Sequence, residues 1–309
     1  MRNLLVVTGA SGFIGRHLVA EAAARGLPVR GLARSERGAR TVVEAGGEAR
    51  ILERWSAEPL AAALAGAAAV VHLANIGAER GGATYEQVNV LGTETVITAA
   101  RRVGVRRVAY LSGLGVARYG MAPRCTNRYF LSKLAAELVL YRSGLSVAVF
   151  RPSYVVGAGG ELIPSLVREM AAGEVERIGD GSYRMQPIDV VDAAAAILTS
   201  LDGDRPAVSV FDLVGPEPMS YATFIERVAR IAARLGIGGA YRIREVPVAE
   251  ADRLAAAGGY RGLRPDELDC LLCDDVADHR PLETLVGRPL ATVDAAIERA
   301  LRATLSGAR

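Results

Sequence analysis

Short apolar runs alternate with longer amphipathic stretches through the first half of the chain. Residues 4–7 read Leu-Leu-Val-Val, which suits a buried strand, and from Phe13 the apolar positions recur at helical spacing. The pattern predicts a strand over Arg2–Thr8 and a helix over Gly12–Arg25, closed by Gly26 with Pro28 just beyond. The same rhythm then repeats. Further strands are expected over Pro28–Ala33, Ala49–Glu53, Ala69–Leu73, Arg107–Ser112 and Ser146–Phe150. Between them fall a helix capped by Ser35 and helices over Pro59–Ala65, Tyr85–Val103 and Asn127–Arg142. Nearly continuous apolar strands separated by helices imply an α/β fold on a doubly wound parallel sheet, covered on both faces.

After Arg151-Pro152 the rhythm changes. Helices are expected over Glu161–Ala172 and Val190–Leu201, a returning strand over Val208–Leu213, and a helix from a Ser220 cap through Leu235. From about Ala249 to Leu305 the pattern is mostly helical, punctuated at Gly258-Gly259, Pro265 and Gly287-Arg288-Pro289. The division that follows is a sheet domain over 1–157 and a smaller, mostly helical lobe over 158–309. About 186–214 would return to the sheet. Such a lobe would lean over the strand ends, where open α/β sheets bind ligands.

The join between the first strand and helix reads Thr8-Gly9-Ala10-Ser11-Gly12-Phe13-Ile14-Gly15. A strand, a glycine turn and a helix together cradle a dinucleotide pyrophosphate. Gly9 permits the tight turn, Gly12 lets the backbone approach phosphate, and Gly15 lets helix and strand pack closely. The helix N-terminus adds free N–H groups and a positive dipole end, and Ser11, Phe13 and Ile14 complete the contact stretch. An acidic residue about 20 positions on would hold the ribose hydroxyls of NAD. Here the second strand ends at Arg34, followed by Ser35 and Arg37. A guanidinium can pair with a 2′-phosphate, which favours NADP with NAD as the alternative. The abundance of arginine in this chain weighs against reading too much into the position.

Composition narrows the picture. Half of the 309 residues are hydrophobic, enough for a large core. The net charge of +3 is small and the basic residues are scattered, so no nucleic-acid partner is expected. No apolar run approaches a membrane span, residues 4–7 do not make a signal-peptide core, and three cysteines make no disulfide framework. A cytoplasmic protein acting on a small molecule, away from membranes, is the expectation. No metal is expected either, because Cys270-Leu-Leu-Cys273 with His279 lacks the second pair of a structural zinc site. His72 reads as a core histidine and His17 as a helix residue without a visible partner. Trp55, Tyr119 and Tyr154 could line a substrate pocket, but packing alone explains aromatics at this density.

One residue stands out against this background. Of 37 basic residues, all but Lys133 are arginine. Lys133 lies four positions after Tyr129 in a predicted helix, so both side chains project from one face. An ammonium beside a phenol favours phenolate and lowers its pKa. The tyrosine could then exchange a proton with a substrate oxygen while a nicotinamide exchanges hydride.

With these motifs in order, the sequence resembles the short-chain dehydrogenase/reductase superfamily. It is most similar to the extended and atypical branches, which include sugar-nucleotide epimerases and dehydratases. The resemblance covers nearly the whole chain and implies a Rossmann domain. It gives Val71-His72-Leu73-Ala74 the strand end lying along the cofactor, with Asn75 beside it, and sets Glu53 near adenine. Asn89 matches the helix asparagine near the active site and is expected among the cofactor contacts. Tyr129-Phe-Leu-Ser-Lys133-Leu-Ala-Ala-Glu137 matches the catalytic helix, with Leu111 at the preceding strand end. Pro152, Ser153 and Val155 fall in the segment that meets the carboxamide. Arg184 falls where an arginine is directed at a substrate diphosphate, against the alternative of a structural salt bridge. The resemblance also leaves room for a homodimer.

Two departures bear on mechanism. The hydroxyl usually found after the fifth strand falls on Gly113 or Leu114, leaving Ser112, Asn75 or Thr126 to take its role. An arginine-x-glycine-aspartate run common near the C-terminus of sugar-nucleotide enzymes is missing. The expected function is hydride transfer on a carbonyl or hydroxyl substrate, with a nucleotide sugar among the candidates. The alternative is an NADP-binding sensor or structural subunit.

Overall fold

The computed structural model describes residues 4–203, 206–258 and 260–307, so Arg2, Asn3 and Gly259 of the sequence reading lie outside the described residues. Strands β1 (Leu4–Thr8), β2 (Val29–Ala33), β3 (Glu48–Ile51), β4 (Ala67–His72), β5 (Arg107–Leu111) and β6 (Ser146–Pro152) join Val208–Leu213 in one seven-stranded sheet. Its order is Val208–Leu213, β6, β5, β4, β1, β2, β3, and every pairing is parallel. From β1 the chain steps outward to β2 and β3, then returns to β4 on the other side. The order therefore reverses between β1 and β4, which opens a crevice beyond their C-terminal ends.

The strand residues alternate between two cores. Leu5, Val7, Ala69, Val71, Ala109, Leu111, Ala148 and Phe150 face α1 (Phe13–Ala24) and α7 (Val190–Thr199). Val6, Val70, Val108, Tyr110, Val147 and Val149 face α3 (Ala57–Leu64), α4 (Leu91–Arg102) and α5 (Arg128–Tyr141). Burial on both faces explains why these runs show no polar alternation. The helix expected over Tyr85–Val103 is broken in register: Glu86–Val90 forms a π-turn before α4 begins.

Two features of the C-terminal half depart from expectation. Glu174–Ile178 and Arg242–Val246 form a parallel two-stranded ribbon, where charge-rich sequence had suggested no strand. Opposite charges face each other across it, with Arg242 beside Glu174, Arg244 beside Glu176 and Glu245 beside Arg177. Cross-strand ion pairs supply what the apolar pattern lacks. The tail is also not wholly part of the lobe. Helices α9 (Val248–Ala256), α10 (Pro265–Leu272) and α12 (Val293–Gly307) belong to it, but Leu282 of α11 (Arg280–Val286) and Leu290 sit in the main core with Leu5 and Ile197.

Candidate active site

The glycine turn lies at the mouth of the crevice. Gly9 has φ +66°, and a Cβ there would stand 2.9 Å from the Ala74 nitrogen. At Gly15 a Cβ would be 2.2 Å from the Gly9 carbonyl oxygen, so helix and turn close up only on glycine. Gly12 differs. A Cβ at that position would meet only the Gly9 oxygen, at 3.2 Å, and the residue otherwise faces the open cleft. A polyanion fits such a cradle, because Gly9, Ser11 and Gly12 line the cleft at the N-terminus of α1, where helix N–H groups and the dipole favour negative charge.

The cleft runs from this turn across the ends of β2, β3 and β4, with a volume of about 460 Å³. Gly9, Ser11, Gly12, Arg34, Leu73, Ala74 and Asn75 line it, as the sequence reading placed them. Arg34 is exposed there and makes no ion pair among the described residues. Ile76, Gln87 and Val88 also line the cleft, with no motif to mark them, and Trp55 lines this cleft and not the pocket beside Tyr129. Other expected contacts lie elsewhere. Phe13 packs under Gly160 and edge-on to His17, Ile14 packs against the main core, and Arg37 is exposed outside the lining. Glu53 is likewise exposed and outside the lining, while Leu52 and Trp55 on either side of it turn inward. His17 does have a partner, the Ala158 carbonyl at 2.8 Å.

Asn89 is a correction of the same kind. It is buried, its Oδ1 accepts from Ile76 N–H (2.9 Å), and its amide donates to the Ile76 carbonyl and to Ser132 Oγ. Ser132 donates in turn to the Tyr129 carbonyl at 2.7 Å. Asn89 therefore ties the loop after β4 to the first turn of α5 and does not reach the cleft. A second buried network holds the crevice walls. The Thr8 hydroxyl accepts from Leu73 and Ala74 N–H and donates to His72 Nδ1 at 2.7 Å. His72 Nε2–H then donates to Thr93 Oγ1, whose own hydroxyl donates to the Asn89 carbonyl. These donors and acceptors leave the imidazole neutral, and burial, helped by Lys133, lowers its pKa to about 3. His72 is a structural histidine, as its strand position suggested.

Asn127 caps α5, its side chain accepting from Phe130 N–H at 2.8 Å, so Tyr129 and Lys133 occupy successive turns of one face. Lys133 is 0% exposed and its ammonium donates to the Leu111 carbonyl at 2.6 Å, 4.6 Å above the Tyr110 ring. Burial draws its pKa down to about 7, with Glu137 opposing. Glu137 is itself held by Arg151 and by the Tyr141 hydroxyl. One expectation fails in this state. Lys133 does not pull the Tyr129 phenol down; burial, then the neighbouring Cys270 and Asp275, push that phenol above the ordinary tyrosine value. Leu111 likewise holds Lys133 through its carbonyl and does not line the cleft.

A second pocket of about 180 Å³ lies beside Tyr129. Ser112, Gly113, Leu114, Phe130, Pro152, Ser153 and Tyr154 form it from the sheet side, and Cys270, Leu271 and Asp275 from the lobe. Ser112 is 2% exposed, and its hydroxyl has no hydrogen-bond partner among the described residues. Gly113 follows it in extended conformation, where a Cβ would stand 3.4 Å from the Phe130 ring and 3.9 Å from the Tyr129 ring. Val155 pairs with Ile188 and packs on the main core, outside both cavities. Arg184 is turned away: its Nε donates to Asp274 Oδ2 at 3.0 Å, so the salt-bridge alternative describes it. The three cysteines stay free, and among the described residues no group of three or more metal-ligating side chains comes together. Among those residues no helix is long and apolar enough to cross a membrane.

A glycine cradle at the switch point of a parallel sheet, with a tyrosine–lysine helix beside it, defines a dinucleotide-binding α/β protein with a second pocket adjoining the helix. The model of the NAD dependent epimerase/dehydratase family matches residues 5–212, and the chain belongs to that family. The resemblance drawn from the motifs is thereby borne out, and with it membership of an oxidoreductase and epimerase family. A ketoreductase of Stigmatella aurantiaca, acting on 4-hydroxy-2-methyl-3-oxo-4-farnesyl-3,4-dihydroquinoline-1-oxide, is 28% identical over 235 residues, 71% of this chain and 70% of that protein. Cinnamoyl-CoA reductase 1 of Oryza sativa subsp. japonica is 31% identical over 242 residues, 68% of each chain. Among solved structures, the UDP-glucuronic acid 4-epimerase of Bacillus cereus, in complex with UDP-glucuronic acid and NAD, superposes with a TM-score of 0.77 at 16% identity. That match spans 98% of this chain and 99% of the other, and it shows a shared fold.

Proposed function

We propose that the protein is an NADP-linked reductase of small, uncharged carbonyl compounds. The observation that carries this reading is the lining of the pocket beside Tyr129. Its walls are largely apolar, its one carboxyl group is Asp275, and no arginine or lysine is among them. A nucleotide sugar would bring two phosphate charges, and Arg184, the arginine nearest to that role, is already neutralised by Asp274. The ketoreductase relative, whose named substrate carries no phosphate, agrees with an uncharged carbonyl substrate.

A bound nicotinamide dinucleotide would supply or accept the hydride. The glycine turn would hold its pyrophosphate, and the unpaired Arg34 would meet a 2′-phosphate. Tyr129 supplies the proton to the substrate oxygen as a neutral phenol, the form its burial favours. Ser112, with its free hydroxyl, donates a second hydrogen bond to the same oxygen. The Lys133 ammonium, which donates to the Leu111 carbonyl, would also be shared with a ribose hydroxyl, and brought towards Tyr129 it would favour phenolate after the proton has left.

Following NADPH oxidation by absorbance, with ketones and aldehydes on one side and nucleotide sugars on the other, tests the reading. Turnover is expected with the uncharged carbonyls, falling about 10²- to 10⁴-fold in Tyr129→Phe while NADPH affinity holds. Turnover confined to nucleotide sugars would overturn the substrate class. The sensor alternative draws on Gly113, which carries no hydroxyl beside the tyrosine. NADPH that binds tightly and survives the whole panel would favour it.

A further inference from the structure

The substrate pocket holds one acid that the reduction does not use. Asp275 is 7% exposed and anchored at both ends of its backbone: its N–H donates to the Arg184 carbonyl at 2.8 Å, and its carbonyl accepts from Ser153 Oγ at 2.9 Å. The carboxylate is less well satisfied. Its Oδ1 lies 3.7 Å from the Arg118 guanidinium and 3.7 Å from Cys273 Sγ, and Arg118 spends its hydrogen bond on the Asp274 carbonyl. No hydrogen bond reaches Oδ2 among the described residues. The carboxylate thus keeps acceptor capacity in a residue that lines the pocket. The unpartnered hydroxyl of Ser112 lies in the wall of the same pocket.

We propose that Asp275 is a second proton-transfer group of this pocket, giving the protein an enolisation activity towards ketones that bear a hydrogen on the carbon beside the carbonyl. The inference rests on the carbonyl-reductase reading for how the ketone is held. With the oxygen at Tyr129 and Ser112, the Asp275 carboxylate takes the proton from the adjacent carbon. The C–H electron pair becomes a carbon–carbon double bond, and the carbonyl oxygen takes the phenolic proton of Tyr129, giving the enol. Reversal after exchange with water restores the ketone carrying solvent hydrogen. No electron leaves the substrate, and the bound dinucleotide is neither oxidised nor reduced. An acid and a base are thus set against the two ends of one carbonyl unit.

Burial lifts the Asp275 pKa to about 7, with Arg118 and Cys273 drawing it down and Asp274 raising it. Tyr129, Tyr154, Cys125 and Cys270 complete the titratable groups that feel this carboxylate, and each is itself pushed up by burial, so each stays neutral near pH 7. A base is active when ionised, so exchange should rise with pH to a plateau above about pH 7.

The test is deuterium uptake at the α-carbon of cyclohexanone and acetophenone, by proton NMR in ²H₂O with NADP⁺-loaded protein, beside NADPH-dependent reduction of the same ketones. Wild type should exchange faster than buffer. Asp275→Asn should lose about 100-fold in exchange but less than tenfold in reduction, and Asp275→Glu should recover part of the exchange. Thermal unfolding and NADPH binding report whether each variant is intact. Parallel loss of both reactions in Asp275→Asn would reduce Asp275 to a structural part and overturn the proposal. So would reduction by wild type without exchange above buffer. Failure of wild type in both reactions would sink the carbonyl-reductase reading itself.

Discussion

Replacing Lys133 by methionine should make the cofactor-free protein more stable while abolishing its chemistry. Lys133 is wholly buried, and its pKa falls from 10.5 to about 7 on folding. Between those values the unfolded chain holds a proton that the folded chain has lost, so stability rises with pH across this window. At pH 7 the shift of about 3.5 units corresponds to roughly 4 kcal/mol of destabilisation from this one group. Methionine removes that cost but leaves the Leu111 carbonyl without its donor, a penalty of about 1–3 kcal/mol. The net expectation is a gain of roughly 1–3 kcal/mol at pH 7. Urea unfolding of both proteins without cofactor, from pH 7 to pH 9.5, gives the sharper readout. All other groups cancel in the difference, and wild type should recover about 3 kcal/mol relative to Lys133→Met over that range. A pH-independent difference, or a less stable variant throughout, would show that Lys133 is not buried as a desolvated amine.

The other predictions concern the two cavities. Arg34→Ala should weaken NADPH binding about 10- to 100-fold with little effect on NADH, measured by fluorescence titration; equal losses would remove the 2′-phosphate role. Gly113→Ser should place a hydroxyl beside the Tyr129 ring, where a Cβ would stand 3.9 Å away, and raise kcat about tenfold; an unchanged kcat would mean that Ser112 already fills the need. Gly15→Ala should cost more than about 2 kcal/mol and abolish dinucleotide binding, because the added carbon would lie 2.2 Å from the Gly9 oxygen; calorimetry that finds normal stability would contradict that packing.

The sheet was readable because its central strands β1, β4, β5 and β6 are buried on both faces and written as apolar runs, with helices between, whereas the edge strands β3 and Val208–Leu213 are more exposed. The glycine turn was readable for a related reason: backbone geometry leaves few choices at Gly9 and Gly15. The ribbon of Glu174–Ile178 and Arg242–Val246 was not, since its stability lies in pairs that meet only after folding. Asn89 was placed correctly near the active helix but given the wrong task. A motif tells where a side chain sits in the chain, whereas its partners, Ile76 and Ser132, come from other elements. Asp275 was out of reach on the same grounds, with no motif to mark it and its place in the pocket arising only where the lobe meets the strand ends.

The return of the tail to the main core has a consequence for how the chain can be divided. Leu282 and Leu290 close a core begun by Leu5 and Val7, more than 270 positions earlier. A chain emerging from a ribosome cannot finish the first face of its sheet until that stretch is free, and a cut after residue 157 would leave a sheet lacking both α7 and α11. The dinucleotide half is therefore not a detachable module. Grafting it onto another substrate lobe would need these last helical residues carried along, out of sequence order, before the transplanted crevice could hold its shape.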